Sequence, residues 1–169
     1  MKFLSTALAI SIFASACAGA PRAASMHEAS ISLDVVERLV RSRASGDELR
    51  ATLGPPAERA AFGADRELWV YSTKTGEATL KRASFVLERS TARVLSGEWL
   101  PEDGDSLRRL DQALARFRGD SFVSQAFAWN ARREYPDDEL LEDRRAGVSL
   151  IVRRSDRTVS AISFEPGSP

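Results

Sequence analysis

Three features of this 169-residue chain have the residue types and spacing for chemistry. The first is a run of carboxylates, Asp137, Asp138, Glu139, Glu142 and Asp143. Such a cluster can supply a glycosidase-type acid/base pair or oxygen ligands for Ca²⁺. Arg132, Arg133, Arg144 and Arg145 flank it, however, and this mixture of charge usually belongs to a solvated loop or to local ion pairs. The second is His27, the sole histidine, which stands in a tether-like stretch of small and polar residues and so supports no credible Ser/His/Asp triad. The third is Cys17, the sole cysteine, which excludes a disulfide within the chain and any cysteine-based metal cluster. No GxxxxGK[ST] loop, GxGxxG turn or HExxH pair is present. The sequence therefore predicts no catalytic residues, no metal and no cofactor.

Cys17 gains its meaning from what precedes it. Lys2 is followed by a 14-residue apolar run, Phe3 to Ala16. A helix crossing a bilayer needs about 20 apolar residues, so this run suits a cleavable signal better than a membrane span. It ends Ala14-Ser15-Ala16-Cys17, which resembles the bacterial lipobox, with Ala14 where Leu is more usual. That resemblance implies cleavage before Cys17 and lipidation of its thiol. A plain secretory signal would also accept Ala14 and Ala16, but would leave a lone exported thiol. With Ala18 rather than Asp after the cysteine, sorting to the outer membrane is expected. Residues 17–30, from Cys17 through AGAPRAASMHEAS, read as a tether carrying His27 as a solvated residue. Removal of residues 1–16 takes Lys2 with it and leaves one acidic side chain in excess, so lipid rather than charge must hold the chain to the membrane.

The rest must fold around an ordinary composition: 43% hydrophobic residues, 28% charged, and 24 basic against 24 acidic groups. A net charge of zero and a pI near 6.6 argue against nucleic-acid binding. The length admits one domain or two small ones. Ser32 is placed to cap a helix from Leu33, with Ile31 and Val36 as a hydrophobic staple and Leu33, Val36, Leu39 and Val40 on one face. Ser45-Gly46-Asp47-Glu48 opens a second helix that stops at Gly54, before Pro55 and Pro56. Strands are predicted at 67–72, 79–89 and 93–99, and the PEDGD segment, 101–105, marks a boundary between halves. A helix over Leu107, Leu110, Leu114 and Phe117 follows, then strands at 122–129, 148–154 and 158–164, with 130–147 as an inserted loop.

A shift of 65 residues aligns Ser84–Val94 with Ser149–Val159, Leu49 with Leu114 and Gly54 with Gly119. This suggests an internal duplication. The fold class expected is α+β, with two layers of helices on antiparallel sheet arranged as two tandem related modules, 31–101 and 102–169. Trp69 and Tyr71 alternate onto one sheet face, and Trp99 and Trp129 come from other strands. Either they are core under the helices or, as candidate partner-binding residues, they line an exposed aromatic patch.

The order of helix, capping box, Leu53-Gly54-Pro55-Pro56, Trp69-Val70-Tyr71 and hairpin resembles the SmpA/OmlA lipoprotein family. The likeness spans roughly residues 31–100. Arg43-Ala44-Ser45-Gly46-Asp47 stands where family members usually carry a Gly-Met-Thr-like turn. Members include an accessory lipoprotein of the outer-membrane β-barrel assembly machinery, and the wider group shares its fold with the β-lactamase inhibitor protein, built of two such modules. The resemblance implies a lipid-anchored protein of the outer membrane, facing the periplasm and binding another envelope protein, with no enzymatic activity. The alternative is a periplasmic ligand-binding or inhibitor module that uses a cleft between the two repeats.

Overall fold

The computed structural model describes residues 31–75, 78–125 and 137–166, apart from the side chains at 74, 75, 78–81, 120 and 125. The signal segment, the tether with Cys17 and His27, and Trp129 lie outside the described residues.

Helix α1, Leu33–Arg41, buries Leu33, Val36, Leu39 and Val40 as its periodicity requires. Helix α2, Gly46–Leu53, begins with a complete capping box. The Glu48 amide donates to Ser45 Oγ at 3.2 Å, and the Ser45 amide donates back to Glu48 Oε2 at 2.6 Å. Gly54 ends the helix at φ +79°, a left-handed conformation that favours glycine. The expected helix from Leu107 starts later, because Asp105 takes the Leu107 amide at 2.8 Å and sets a single 3₁₀ turn over Ser106–Arg108. Helix α3 then runs Leu110–Arg116.

Eight strands complete the described residues: β1 Glu58–Ala61, β2 Arg66–Thr75, β3 Ala78–Glu88, β4 Val94–Trp99, β5 Val123–Gln125, β6 Asp138–Asp143, β7 Val148–Arg153 and β8 Thr158–Phe164. Two of them have no counterpart in the sequence reading. Strand β1 is a four-residue edge strand, ERAA, whose charges blunt its free side. Strand β6 lies where an insertion was expected: its acidic residues face outward or close turns, while Leu141 enters the core.

The expectation of two tandem two-layer α+β modules is corrected by the sheet. All eight strands form one antiparallel sheet, ordered β1-β2-β3-β4-β8-β7-β6-β5, and the three helices are short. The architecture is therefore dominated by a single continuous sheet. Hairpins β3–β4 and β7–β8, the two segments related by the 65-residue shift, each end in a strand with an open edge. Those edges pair with each other through Gly97↔Phe164, Glu98↔Ser163 and Trp99↔Ile162. Among the described residues, β1 and β5 are the edge strands.

The core lies on one side of this sheet. Two cross-strand rows build its floor: Tyr71-Ala83-Trp99-Ile162-Leu150-Leu141 and Trp69-Phe85-Gly97-Phe164-Val148-Asp143. Helix α1 crosses β4 and β8 directly over their seam. It approaches so closely that a Cβ built on Gly97 would lie 2.6 Å from Val40 Cγ2 and 3.1 Å from Phe85. Gly97 is thus fixed by the space α1 needs. The substitution Gly97→Ala should lower stability by about 1–3 kcal/mol, as overpacking a tight core does. Urea unfolding followed by tryptophan fluorescence measures this, and an unchanged midpoint would mean that α1 rides clear of β4.

Candidate functional site

The aromatic residues picked out by sequence face the helices. Trp69, Tyr71 and Trp99 are 2%, 2% and 5% exposed. Trp69 lies beneath α2, where Gly46 leaves room for its ring, and carries the Arg59 and Arg50 guanidinium groups 4.6 and 5.2 Å from its ring centroid. Arg59 grips Glu67 through Nε and Nη2 at 3.1 and 2.8 Å, and Trp69 Nε1 donates to Glu67 Oε2 at 2.8 Å. The guanidinium and the indole together hold the Glu67 carboxyl below its usual range. Tyr71 meets Phe85 edge-on with centroids 5.7 Å apart. Its hydroxyl has no hydrogen-bond partner among the described residues, and burial pushes it up to about 12. Trp99 Nε1 donates to the Ile31 carbonyl at 2.8 Å. These three rings are therefore packing elements, and none of them forms an outer aromatic patch. Trp129 and the lipidation candidate Cys17 lie outside the described residues.

The carboxylates of the 137–143 segment are engaged locally. Asp137 accepts from the Ser155 amide, Glu139 from Ser124 and Arg157, and Glu142 from Arg144. Asp143, 5% exposed, accepts from Ser121 Oγ at 2.5 Å and from the Ala146 amide at 2.9 Å. It closes the β6–β7 turn and ties it to the segment before β5. These bonds, Ser121 first, hold its carboxyl below the ordinary range. Among the described residues no three metal-ligating side chains gather.

The surface available for recognition is the other side of the sheet, which no described helix covers. Alternation places an unbroken row there across all eight strands: Glu58-Val70-Ser84-Glu98-Ser163-Ser149-Glu142-Val123. At about 4.8 Å between strands the row is about 34 Å long, which is the scale of a protein–protein footprint rather than of a small-molecule cleft. Its middle is small and polar. Ser84 is 7% exposed, shaded by its larger neighbours, and Ser149 and Ser163 are half-buried. Exposed apolar side chains stand near its two ends: Phe62, just past β1 and its Glu58, and Val123, on β5, are 49% and 59% exposed. Phe62 also lines a shallow hollow of about 350 Å³ of mixed character, shared by Val86 and Leu95 with the charged Arg43, Arg66 and Glu165. Sequence reasoning missed this face. The available signal was serine at alternate positions inside strongly β-forming runs, namely Ser84, Ser149 and Ser163.

No family model and no curated protein matches this chain. Solved structures similar to it include an extracellular protein containing an SCP domain from Bacillus anthracis, at 12% identity and a TM-score of 0.44, covering 72% of this chain and 43% of that one. A DUF4309 family protein from Bacillus subtilis is 11% identical with a TM-score of 0.48, over 76% of this chain and 82% of that one. A cysteine-rich secretory protein from Staphylococcus aureus is 8% identical with a TM-score of 0.39, over 71% and 41%. The chain spans less than half the length of the first and third of these. The likenesses are too distant to carry a function.

Two titrations test the site's surroundings. Asp143 is depressed in the folded state, so its contribution is present above the unfolded carboxyl value, near 3.9, and is lost as pH falls through the folded one. Stability measured from about pH 5 down to pH 2 should therefore fall less steeply in Asp143→Asn than in the unsubstituted chain. An equally steep acid limb would place the proton uptake elsewhere. For Tyr71 the folded value is raised, so its contribution is present below pH 10 and is lost as pH rises toward about 12. Tyr71→Phe should leave neutral-pH stability equal or higher by up to about 1 kcal/mol and should delay alkaline unfolding. A clear loss at pH 7 would reveal a partner for the hydroxyl.

Proposed function

We propose that this chain is a lipoprotein of the outer membrane, anchored through Cys17, whose sheet binds another envelope protein. The observation that carries the binding half is the long uncovered sheet face, with serine and glutamate along its centre and the exposed side chains of Phe62 and Val123 near its two ends. An interface is built from apolar area that anchors and polar groups that fix register; this face offers both, with its polar groups central and its exposed apolar side chains near the ends, the reverse of the usual apolar core and polar rim. The anchor half is supported by the apolar run ending Ala14-Ser15-Ala16-Cys17. The motif order that resembles SmpA/OmlA lipoproteins supports the same setting.

The test joins fractionation to site-directed crosslinking. Cys17→Ala should move the protein from the membrane to the soluble fraction. A photoreactive residue at Ser149, on the open face, should crosslink to one discrete envelope protein, whereas the same residue at Arg38, on the exposed side of α1, should not. The captured protein, once purified, should bind the chain and lose at least about tenfold in affinity with Val70→Arg, the cost of burying an unpaired charge in an interface. Equal crosslinking from both positions would remove the open face from the argument, and membrane retention of Cys17→Ala would remove the anchor.

A further inference from the structure

Trp69 and Trp99 both bury their rings and both use their indole N–H, but toward different ends. Trp69 donates within its own strand, to Glu67 two residues away. Trp99 donates to the main-chain carbonyl of Ile31, 68 residues away, at 2.8 Å. Ile31 is the first described residue, where the segment from Cys17 joins the fold, and its side chain packs against the core. The start of α1 lacks the usual alternative: Ser32 has N-cap backbone geometry, yet its side chain makes no capping bond. The other contacts there are the first main-chain bond, Val36 N–H to the Ser32 carbonyl at 3.1 Å, the buried side chains of Leu33 and Val36, and the Arg116–Asp34 ion pair on the surface. An exposed pair of that kind holds little.

From this we infer that Trp99 is the positioning residue that ties the N-terminal segment to the sheet and fixes where it enters. Trp99 points to the helix-covered side and its backbone pairs with β8 at Ile162. Ile31 therefore lies on the covered side of the sheet, and the open face is turned away from it. Tension between a membrane anchor and a partner on the open face would pass from Ile31 through the Trp99 indole into the β4–β8 seam, rather than peeling α1 from its first turn. This deepens the anchored-binder reading and rests on it for its purpose, though not for its test.

The test is hydrogen exchange by NMR on the full chain, comparing the unsubstituted protein with Trp99→Phe, which keeps an aromatic ring and loses the donor. The amide of Val36 and its neighbours at the start of α1 should exchange up to about tenfold faster, the effect of losing one hydrogen bond. The amides of Leu141 and Leu150, in β6 and β7, should keep their rates. Uniform acceleration everywhere would make Trp99 a packing residue only, and unchanged rates at α1 would show that the bond holds nothing; either result overturns the inference. If Trp99→Phe fails to fold, the indole proton of the unsubstituted chain decides. It should exchange at least about tenfold more slowly than a free indole, and free exchange would refute the tie. Neither readout involves lipid or partner, so failure of the anchor would appear in fractionation and leave this result untouched.

Discussion

The structure depends on one crossing, that of α1 over the seam between β4 and β8. Three residue pairs join the two strands there, and a flat ladder that short would not by itself hold eight strands in one sheet. Helix α1 supplies the rest by sinking Val36, Leu39 and Val40 onto both strands at once. That requires a floor low enough to receive it, and Gly97 provides the space on β4 opposite Phe164 on β8. A methyl group at 97 would lift the helix, expose Phe85 and Phe164, and loosen the row that continues to Val148. The same logic recurs at Gly46, where α2 starts against the Trp69 ring. Helix position in this fold is thus set by where the sheet and the helix ends omit side chains.

Around that crossing, arginine does the fastening. Arg41 donates to the Glu165 carbonyl at 2.7 Å while its guanidinium sits 5.8 Å from the centre of the Phe164 ring, joining α1 to the end of β8. Arg116 reaches from α3 to Asp34 and Glu37 on α1. Arg82, with its side chain 9% exposed, bonds Thr73 and Glu102 where the sheet meets the connection to α3. Planar guanidinium groups can stack on a ring and hydrogen-bond in the same pose, which an ammonium cannot do as well. Most of these pairs are exposed, so they set geometry more than they add stability. The stability resides in the continuous core beneath them.

What the sequence made legible was local. The capping box at Ser45–Glu48 with Gly54 at the other end placed α2, and alternation placed Trp69 and Tyr71 on one face. Alternation alone does not say which face a helix will cover, because both readings satisfy period two. The covered side was settled by tertiary facts, namely the room left at Gly46 and Gly97. Strands β1 and β6 were hidden by charge. ERAA and DELLED look solvated because an edge strand and its neighbour carry polar groups on the side that stays wet. The β4–β8 pairing was beyond reach altogether, since the two edges are more than sixty residues apart and neither pattern names its partner. For that reason two modules were expected where one sheet forms.

The open face follows from the same geometry. A sheet side buried against a second layer carries large apolar side chains, as the helix-facing rows here do with Trp69, Tyr71, Phe85, Trp99, Phe164 and the aliphatic residues beside them. A side meant only for water tends to carry long charged or branched polar groups. In the central row this side follows neither pattern: Ser163 and Ser149 set small hydroxyls between Glu98 and Glu142, Ser84 lies on the other side of Glu98, and exposed Phe62 and Val123 stand near the two ends. Serine has a poor propensity for strands and contributes little packing, so three of them in one row weaken the sheet slightly without protecting it. What they give is a low floor lined with donors and acceptors, between edges that favour apolar contact. That combination is costly for a monomer and useful for a surface that receives a protruding part of another protein, which is why the binding reading rests on this face and not on the buried tryptophans.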